Sequence, residues 1–130
     1  VGLAILLGVA KGDNEIDASY LVNKISNLRV FPDSESGFNL SALDIHADIL
    51  VVSQFTLYAD TRKGRRPDFN QAASAEEAKH LYAHATQLFR DAGLTVATGQ
   101  FQQHMQVTLQ NDGPVTLILD STDRKKPRRD

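Results

Sequence analysis

Apolar residues dominate the opening of the chain, Val1-Gly-Leu-Ala-Ile-Leu-Leu-Gly-Val9, and the run predicts a buried core strand. It is too short to cross a bilayer, which takes roughly 20 residues, and it lacks the basic leader and small-residue cleavage site of a signal peptide. It reads as a core strand rather than the native beginning of the protein. Gly12-Asp13-Asn14 breaks it and offers Asp13 as a helix cap. Ile16, Tyr20, Leu21, Ile25 and Leu28 then recur at helical spacing and predict an amphipathic helix to about Arg29.

Phe31-Pro-Asp-Ser-Glu-Ser-Gly37 has the composition of a turn-rich connection. Ile49 to Tyr58 is expected to be a strand, and the apolar stretch Ile49-Leu-Val-Val52 places its first half in the centre of a sheet. Ser74-Ala-Glu-Glu77 reads as a capping box. The helix it opens buries Ala78, Leu81, Tyr82, Ala85, Leu88 and Phe89, and Gly93 ends it. Leu94 to Ala97 is a short strand. Met105, Val107 and Leu109 alternate with Gln106, Thr108 and Gln110, the pattern of a half-buried strand. Asn111-Asp-Gly-Pro114 is a tight turn into a last strand, Val115 to Asp120. The order is that of an α/β or α+β domain, with its last three strands able to pair antiparallel. No repeat and no internal boundary interrupt it.

The 130 residues suffice for one domain with its own core, and 42% hydrophobic with 23% charged residues is ordinary for a globular protein. The absence of cysteine excludes disulfides, thiolate metal sites and cysteine nucleophiles, and is compatible with a reducing cytoplasm. A net charge of −2 argues against a general nucleic-acid coat, but the cations are clustered. Nine of the fourteen Lys and Arg fall in two runs: Arg62, Lys63, Arg65 and Arg66, then Arg124, Lys125, Lys126, Arg128 and Arg129. Clustered cations bind phosphates even on an acidic molecule. The second run follows the last apolar segment, so residues 121–130 are expected to be a solvated, disordered basic tail.

Several chemistries lack their sequence signatures here. His80 and His84 stand four apart on the second helix, but His80-Leu-Tyr-Ala-His84 lacks the Glu of a zinc hydrolase and a third ligand, so exposed histidines and no metal are expected. Ser53 lacks the flanking glycines of a nucleophile elbow, and no histidine is marked as its base. Neither a Gly-x-Gly-x-x-Gly nor a Walker phosphate loop occurs, and no cofactor is expected. In the turn Asn111-Asp112-Gly113-Pro114, an X-Pro bond tolerates cis at small cost, and a residue without Cβ lets main-chain oxygens press against a ligand. By itself the turn is better read as a plain hairpin.

The stretch Ser53-Gln-Phe-Thr-Leu57, continuing as Tyr-Ala-Asp-Thr-Arg-Lys-Gly-Arg-Arg-Pro67, stands in one chain with Asn111-Asp-Gly-Pro-Val-Thr116. Together with Leu6-Leu-Gly-Val9, Asn27-Leu-Arg-Val-Phe31, Asn39-Leu-Ser41 and Thr98-Gly-x-Phe101 followed by Met105, these motifs resemble the D-aminoacyl-tRNA deacylase family of the bacterial and eukaryotic type. The likeness runs from Leu3 to about Leu119. It implies a single domain over 1–120 that lacks N-terminal strands, in which a compact, mostly antiparallel, β-barrel-like sheet is flanked by two main helices.

The resemblance also implies function. The expected reaction is hydrolysis of the ester joining a D-amino acid, or glycine, to the 3′-terminal adenosine of tRNA, in the cytoplasm and without a membrane partner. Ser53, Gln54, Phe55 and Thr56 are the implied catalytic floor, whose backbone N–H groups face the developing oxyanion. Gly113 and Pro114, joined by a cis peptide, are implied to cross into the pocket of a second subunit in a homodimer. There they would hold the substrate amine through their carbonyls and exclude an L side chain. Phe101 and Met105 are the implied wall, and Arg62, Lys63, Arg65 and Arg66 the implied tRNA phosphate contacts. Thr56 is either nucleophile or positioning group; without a base beside it, positioning is preferred. Gln102-Gln103-His104 departs from the family, which has small residues and an Asp there. Two competing readings are a tRNA- or nucleic-acid-binding dimer module without turnover and a small-ester hydrolase unrelated to tRNA.

Overall fold

A computed structural model describes residues 1–35 and 37–127. The opening apolar run forms β1, Gly2–Leu7. Helix α1 spans Glu15–Asn27. Its cap is Asn14 rather than the expected Asp13: the Asn14 side chain accepts from the Ile16 N–H, and Asp17 closes the box by accepting from the Asn14 N–H. Asp13 instead turns back to accept from the Ala10 N–H at 2.8 Å. An Asx side chain satisfies whichever opening N–H it can reach, so composition alone leaves a choice between neighbouring candidates.

The turn-rich connection contains a short antiparallel pair, β2 (Phe31–Pro32) and β3 (Phe38–Leu40), and is followed by a one-turn helix, α2 (Ala42–Ile45), capped by Ser41 and Asp44. Strand β4, Asp48–Ser53, comes next, then a 3₁₀ turn over Phe55–Tyr58. Helix α3 is Ala75–Asp91, with the Ser74 hydroxyl accepting from the Glu77 N–H. Strand β5 is Thr95–Thr98, and a second 3₁₀ turn covers Ser121–Lys125.

The main sheet has three parallel strands in the order β1-β4-β5. Its centre is β4, as its two-sided apolar character predicts: Ile49, Val51 and Val52 are buried. α1 and α3 pack on each other. The core joins Val22 of α1, Ile49 and Val51 of β4, and Tyr82, Ala85 and Phe89 of α3. Full burial of an aromatic such as Phe89, 2% exposed, contributes about 2–3 kcal/mol.

This architecture corrects the expected fold. The protein is α/β with a small parallel sheet and a separate two-stranded antiparallel pair; the described residues form no closed barrel and no mostly antiparallel sheet. The segments expected as strands at 105–110 and 115–120 carry no ladder. Their alternation records one drier and one wetter face, but a strand also needs a neighbouring backbone at hydrogen-bonding distance. A groove of about 840 Å³ separates β1 and α1 from that segment, lined by Leu3, Ile5, Ile25, Leu109 and Leu117 among others. Likewise the second half of the strand expected to Tyr58 is the 3₁₀ turn.

Ser121–Lys125, inside the stretch expected to be a disordered tail, is that second 3₁₀ turn, and it docks on α1 where Arg124 Nε meets Asp17 Oδ1 at 3.3 Å. Arg128 and Arg129 lie outside the described residues.

Candidate functional site

The parallel strand β4 delivers Ser53 at its C-terminal end, the usual place for ligand contacts in an open α/β sheet. The chain then turns at Gln54, whose N–H donates to the Leu7 carbonyl at 2.8 Å and so ties the turn to β1. In the 3₁₀ turn the first i→i+3 bond is Leu57 N–H to Gln54 carbonyl, 3.3 Å. The N–H groups of Phe55 and Thr56 precede that bond, so the turn itself supplies them no acceptor. Four residues of polar-rich sequence thus present both main-chain donors and side chains at the end of β4.

Within this turn, the Gln54 amide donates from Nε2 to Thr56 Oγ1 at 2.6 Å. Ser53 and Gln54 are half-buried, while Phe55 and Thr56 are exposed. Phe55 meets Phe69 edge-on, with ring centroids 5.0 Å apart at 67°.

Phe101 and Met105 stand beside the end of β5. The Phe101 ring lies 5.9 Å from that of Tyr82 at 37°, and both Phe101 and Met105 are half-buried. Gly99 is the reason Met105 can approach: a Cβ there would lie 2.6 Å from Met105 Sδ and 3.8 Å from Val52 Cγ1. In the departing stretch, Gln102 adopts φ 62, a left-handed conformation that glycine takes with less strain.

The Gly113–Pro114 peptide is cis, and both residues are exposed at the tip of a loop. Asn111 shapes that loop: its Oδ1 accepts from the Val115 N–H at 3.2 Å and its Nδ2 donates to Thr116 Oγ1 at 2.9 Å. Gly113, at φ 141, takes a conformation that an L side chain rarely adopts. The segment after the tip is strongly apolar yet uncovered, with Ile118 96% exposed.

The cationic loop follows the 3₁₀ turn directly. Arg62 is engaged there, its Nε and Nη2 donating to Asp60 Oδ1 and Oδ2 at 3.0 and 2.7 Å. That fork holds the Asp60 carboxyl below its ordinary range and the guanidinium above its own. Lys63, Arg65 and Arg66 are exposed and enter none of the ion pairs among the described residues. His80 is exposed and His84, expected to be exposed as well, is half-buried; their rings stack at 6.5 Å, with His80 Nε2 3.2 Å from Glu15, and no metal-competent cluster occurs among the described residues. No helix among the described residues is long and apolar enough to cross a membrane.

Sequence reasoning passed over one residue at this site. Tyr82 reads from its spacing as core, and it is buried. Its hydroxyl, however, reaches the last turn of the sheet, donating to the Val51 carbonyl at 2.9 Å. Helical periodicity reports which face a tyrosine occupies and says nothing about where its polar end lands.

Known proteins share this chain's sequence and fold. A profile of the family described as D-Tyr-tRNA(Tyr) deacylase matches residues 1–120. A D-aminoacyl-tRNA deacylase of Dehalococcoides mccartyi is 59% identical over 128 residues, 98% of this chain and 84% of that protein. One of Neisseria meningitidis is 56% identical over 120 residues, 92% of this chain and 74% of that protein. Among solved structures, a protein titled c-Myc DNA Unwinding Element Binding Protein superposes with a TM-score of 0.82 at 39% identity, over 89% of this chain and 79% of that one. A probable eukaryotic D-amino acid tRNA deacylase shares the fold at a TM-score of 0.58 and 19% identity, over 68% of this chain and 52% of that one. With the profile spanning all but the last ten residues and close relatives matched over most of their own length, the chain belongs to the D-Tyr-tRNA(Tyr) deacylase family.

Proposed function

We propose that this protein hydrolyses the ester bond of D-aminoacyl-tRNA, and of glycine carried on tRNA, releasing the free amino acid and tRNA. The observation that carries the reading is 59% identity to a named D-aminoacyl-tRNA deacylase over nearly the whole chain. The domain over 1–120 acts in the cytoplasm as a chiral proofreader of translation. Ser53 to Thr56 form the floor, and the main-chain N–H groups of Phe55 and Thr56 receive the negative charge that develops on the carbonyl oxygen. Water is the attacking group. Thr56 acts by positioning, since its Oγ1 already accepts a hydrogen bond and no base hydrogen-bonds to it among the described residues. Phe101 and Met105 wall the terminal adenosine.

Gly113 and Pro114 form the steric filter, held in the pocket of a second copy of the chain. Their exposure at a loop tip, and the uncovered apolar residues Leu109, Leu117 and Ile118 beside it, support a homodimer in which that face is covered. Lys63, Arg65 and Arg66, with Arg62 oriented by Asp60, meet tRNA phosphates. The reading of a scaffold without turnover draws no support from curated relatives that carry the hydrolase name.

The deciding measurement is hydrolysis of D-Tyr-tRNA against L-Tyr-tRNA by the purified chain. Rapid loss of the D ester alone is expected; equal rates, or none, would overturn the reading.

A further inference from the structure

The ends of β4 and β5 form a fork. Their last paired residues are Val51 and Thr98. Beyond that point β4 continues into the floor at Ser53 and Gln54, while β5 continues through Gly99 to the wall at Phe101 and Met105. At the fork, the Val51 carbonyl accepts twice, from the Gly99 N–H at 3.2 Å and from the Tyr82 hydroxyl at 2.9 Å. The same hydroxyl lies 3.4 Å from the Gly99 carbonyl. Tyr82 is 7% exposed on α3, so burial limits the freedom of its ring. Its ring lies tilted beside that of Phe101.

We propose that Tyr82 is a positioning residue, whose hydroxyl holds the fork of β4 and β5 and whose ring backs Phe101, so that together they set the gap between the Ser53–Thr56 floor and the Phe101–Met105 wall. The inference rests on the proposed deacylase reading and adds to it the residue that fixes pocket width. A side chain of core type would need only the ring. The hydroxyl instead joins both arms of the fork from a third element, which removes the freedom of floor and wall to splay. A steric filter depends on such rigidity: one added methyl or a small displacement of a wall changes which ester fits.

The test is Tyr82→Phe, which retains the ring and its packing on Phe101 and leaves the Val51 carbonyl its Gly99 partner. kcat and KM are measured for D-Tyr-tRNA and L-Tyr-tRNA on one preparation, well below its melting temperature, so that any unfolded fraction cancels in the ratio. The expected result is a loss of about tenfold in kcat/KM for the D ester and about tenfold in the D-to-L ratio, with a cooperative melt. A second readout is amide exchange: Gly99 N–H exchanges faster in the variant if the fork loosens. A D-to-L ratio within twofold of wild type, or a parallel fall for both esters, overturns the role of Tyr82 while leaving the deacylase reading intact. A wild-type protein inactive on D-Tyr-tRNA refutes the deacylase reading itself and this inference with it.

Discussion

Replacing Thr56 with valine separates the two chemical roles open to its hydroxyl. Thr56→Val preserves shape and β-branching and removes one polar atom. In the folded protein Thr56 Oγ1 accepts from Gln54 Nε2 at 2.6 Å, and no imidazole or carboxylate hydrogen-bonds to it among the described residues. A lone pair engaged by a donor is a poorer nucleophile, and a hydroxyl without an adjacent base stays protonated at neutral pH. The substitution therefore removes one hydrogen bond in a half-open site. A bond of that kind contributes about 0.5–1.5 kcal/mol, which at about 1.4 kcal/mol per decade corresponds to a rate loss of roughly two- to tenfold. Removing a true covalent nucleophile costs on the order of 10⁶ in kcat in a well-studied hydrolase. The two roles thus differ by several decades. Single-turnover hydrolysis of end-labelled D-Tyr-tRNA measures the rate, and thermal unfolding confirms that the variant is folded. A loss beyond about a thousandfold in a protein with a wild-type melt would refute the positioning role.

Three further outcomes are expected. Arg65→Ala and Arg66→Ala should each weaken tRNA binding and reduce the slope of log K against log salt by about 0.7–0.9 for each phosphate left without its cation, measured by filter binding across a salt series; an unchanged slope would remove those residues from the tRNA surface. Burial alone would raise the Asp17 carboxyl, but the hydrogen bonds it accepts from the Asn14 N–H, Ser121 and Arg124 outweigh that and hold it below its ordinary value. Its contribution is therefore complete above the unfolded value of about 3.9 and is lost as pH falls through the folded value, so Asp17→Asn should be less stable at pH 7 and show a shallower acid loss in denaturant melts. Ser26 is buried in α1 with an Oγ that finds no partner among the described residues, and Ser26→Ala, which removes that unsatisfied hydroxyl and improves helix propensity, should stabilise by about 1 kcal/mol in urea unfolding.

Much of this protein was readable along the chain because the signals are local. The opening apolar run, the helical spacing from Ile16 to Leu28, and the apolar spacing behind Ser74 each report a burial pattern, and β1, α1 and α3 follow them. The two-sided apolar character of Ile49 to Val52 located β4 at the centre of the sheet. The motifs of the proposed site were also visible, since a polar stretch at the end of a buried strand conflicts with simple core packing. Chain-local chemistry did not decide between Asp13 and Asn14 as cap, because each side chain carries an oxygen that can accept from an opening N–H, and the backbone direction settles which one does.

What the tertiary structure alone decided are relations between distant segments. Alternation at 105–110 and 115–120 describes a surface, yet a strand exists only beside a partner, and partners are chosen by the fold. The antiparallel, barrel-like arrangement therefore gave way to three parallel strands and a groove. In the same way, the sequence determined that Tyr82 is buried, but only the packing of α3 across β4 and β5 decided that its hydroxyl meets the Val51 carbonyl. Burial is a property of one position and its periodic neighbours; a hydrogen bond between residues 31 apart is a property of the folded chain.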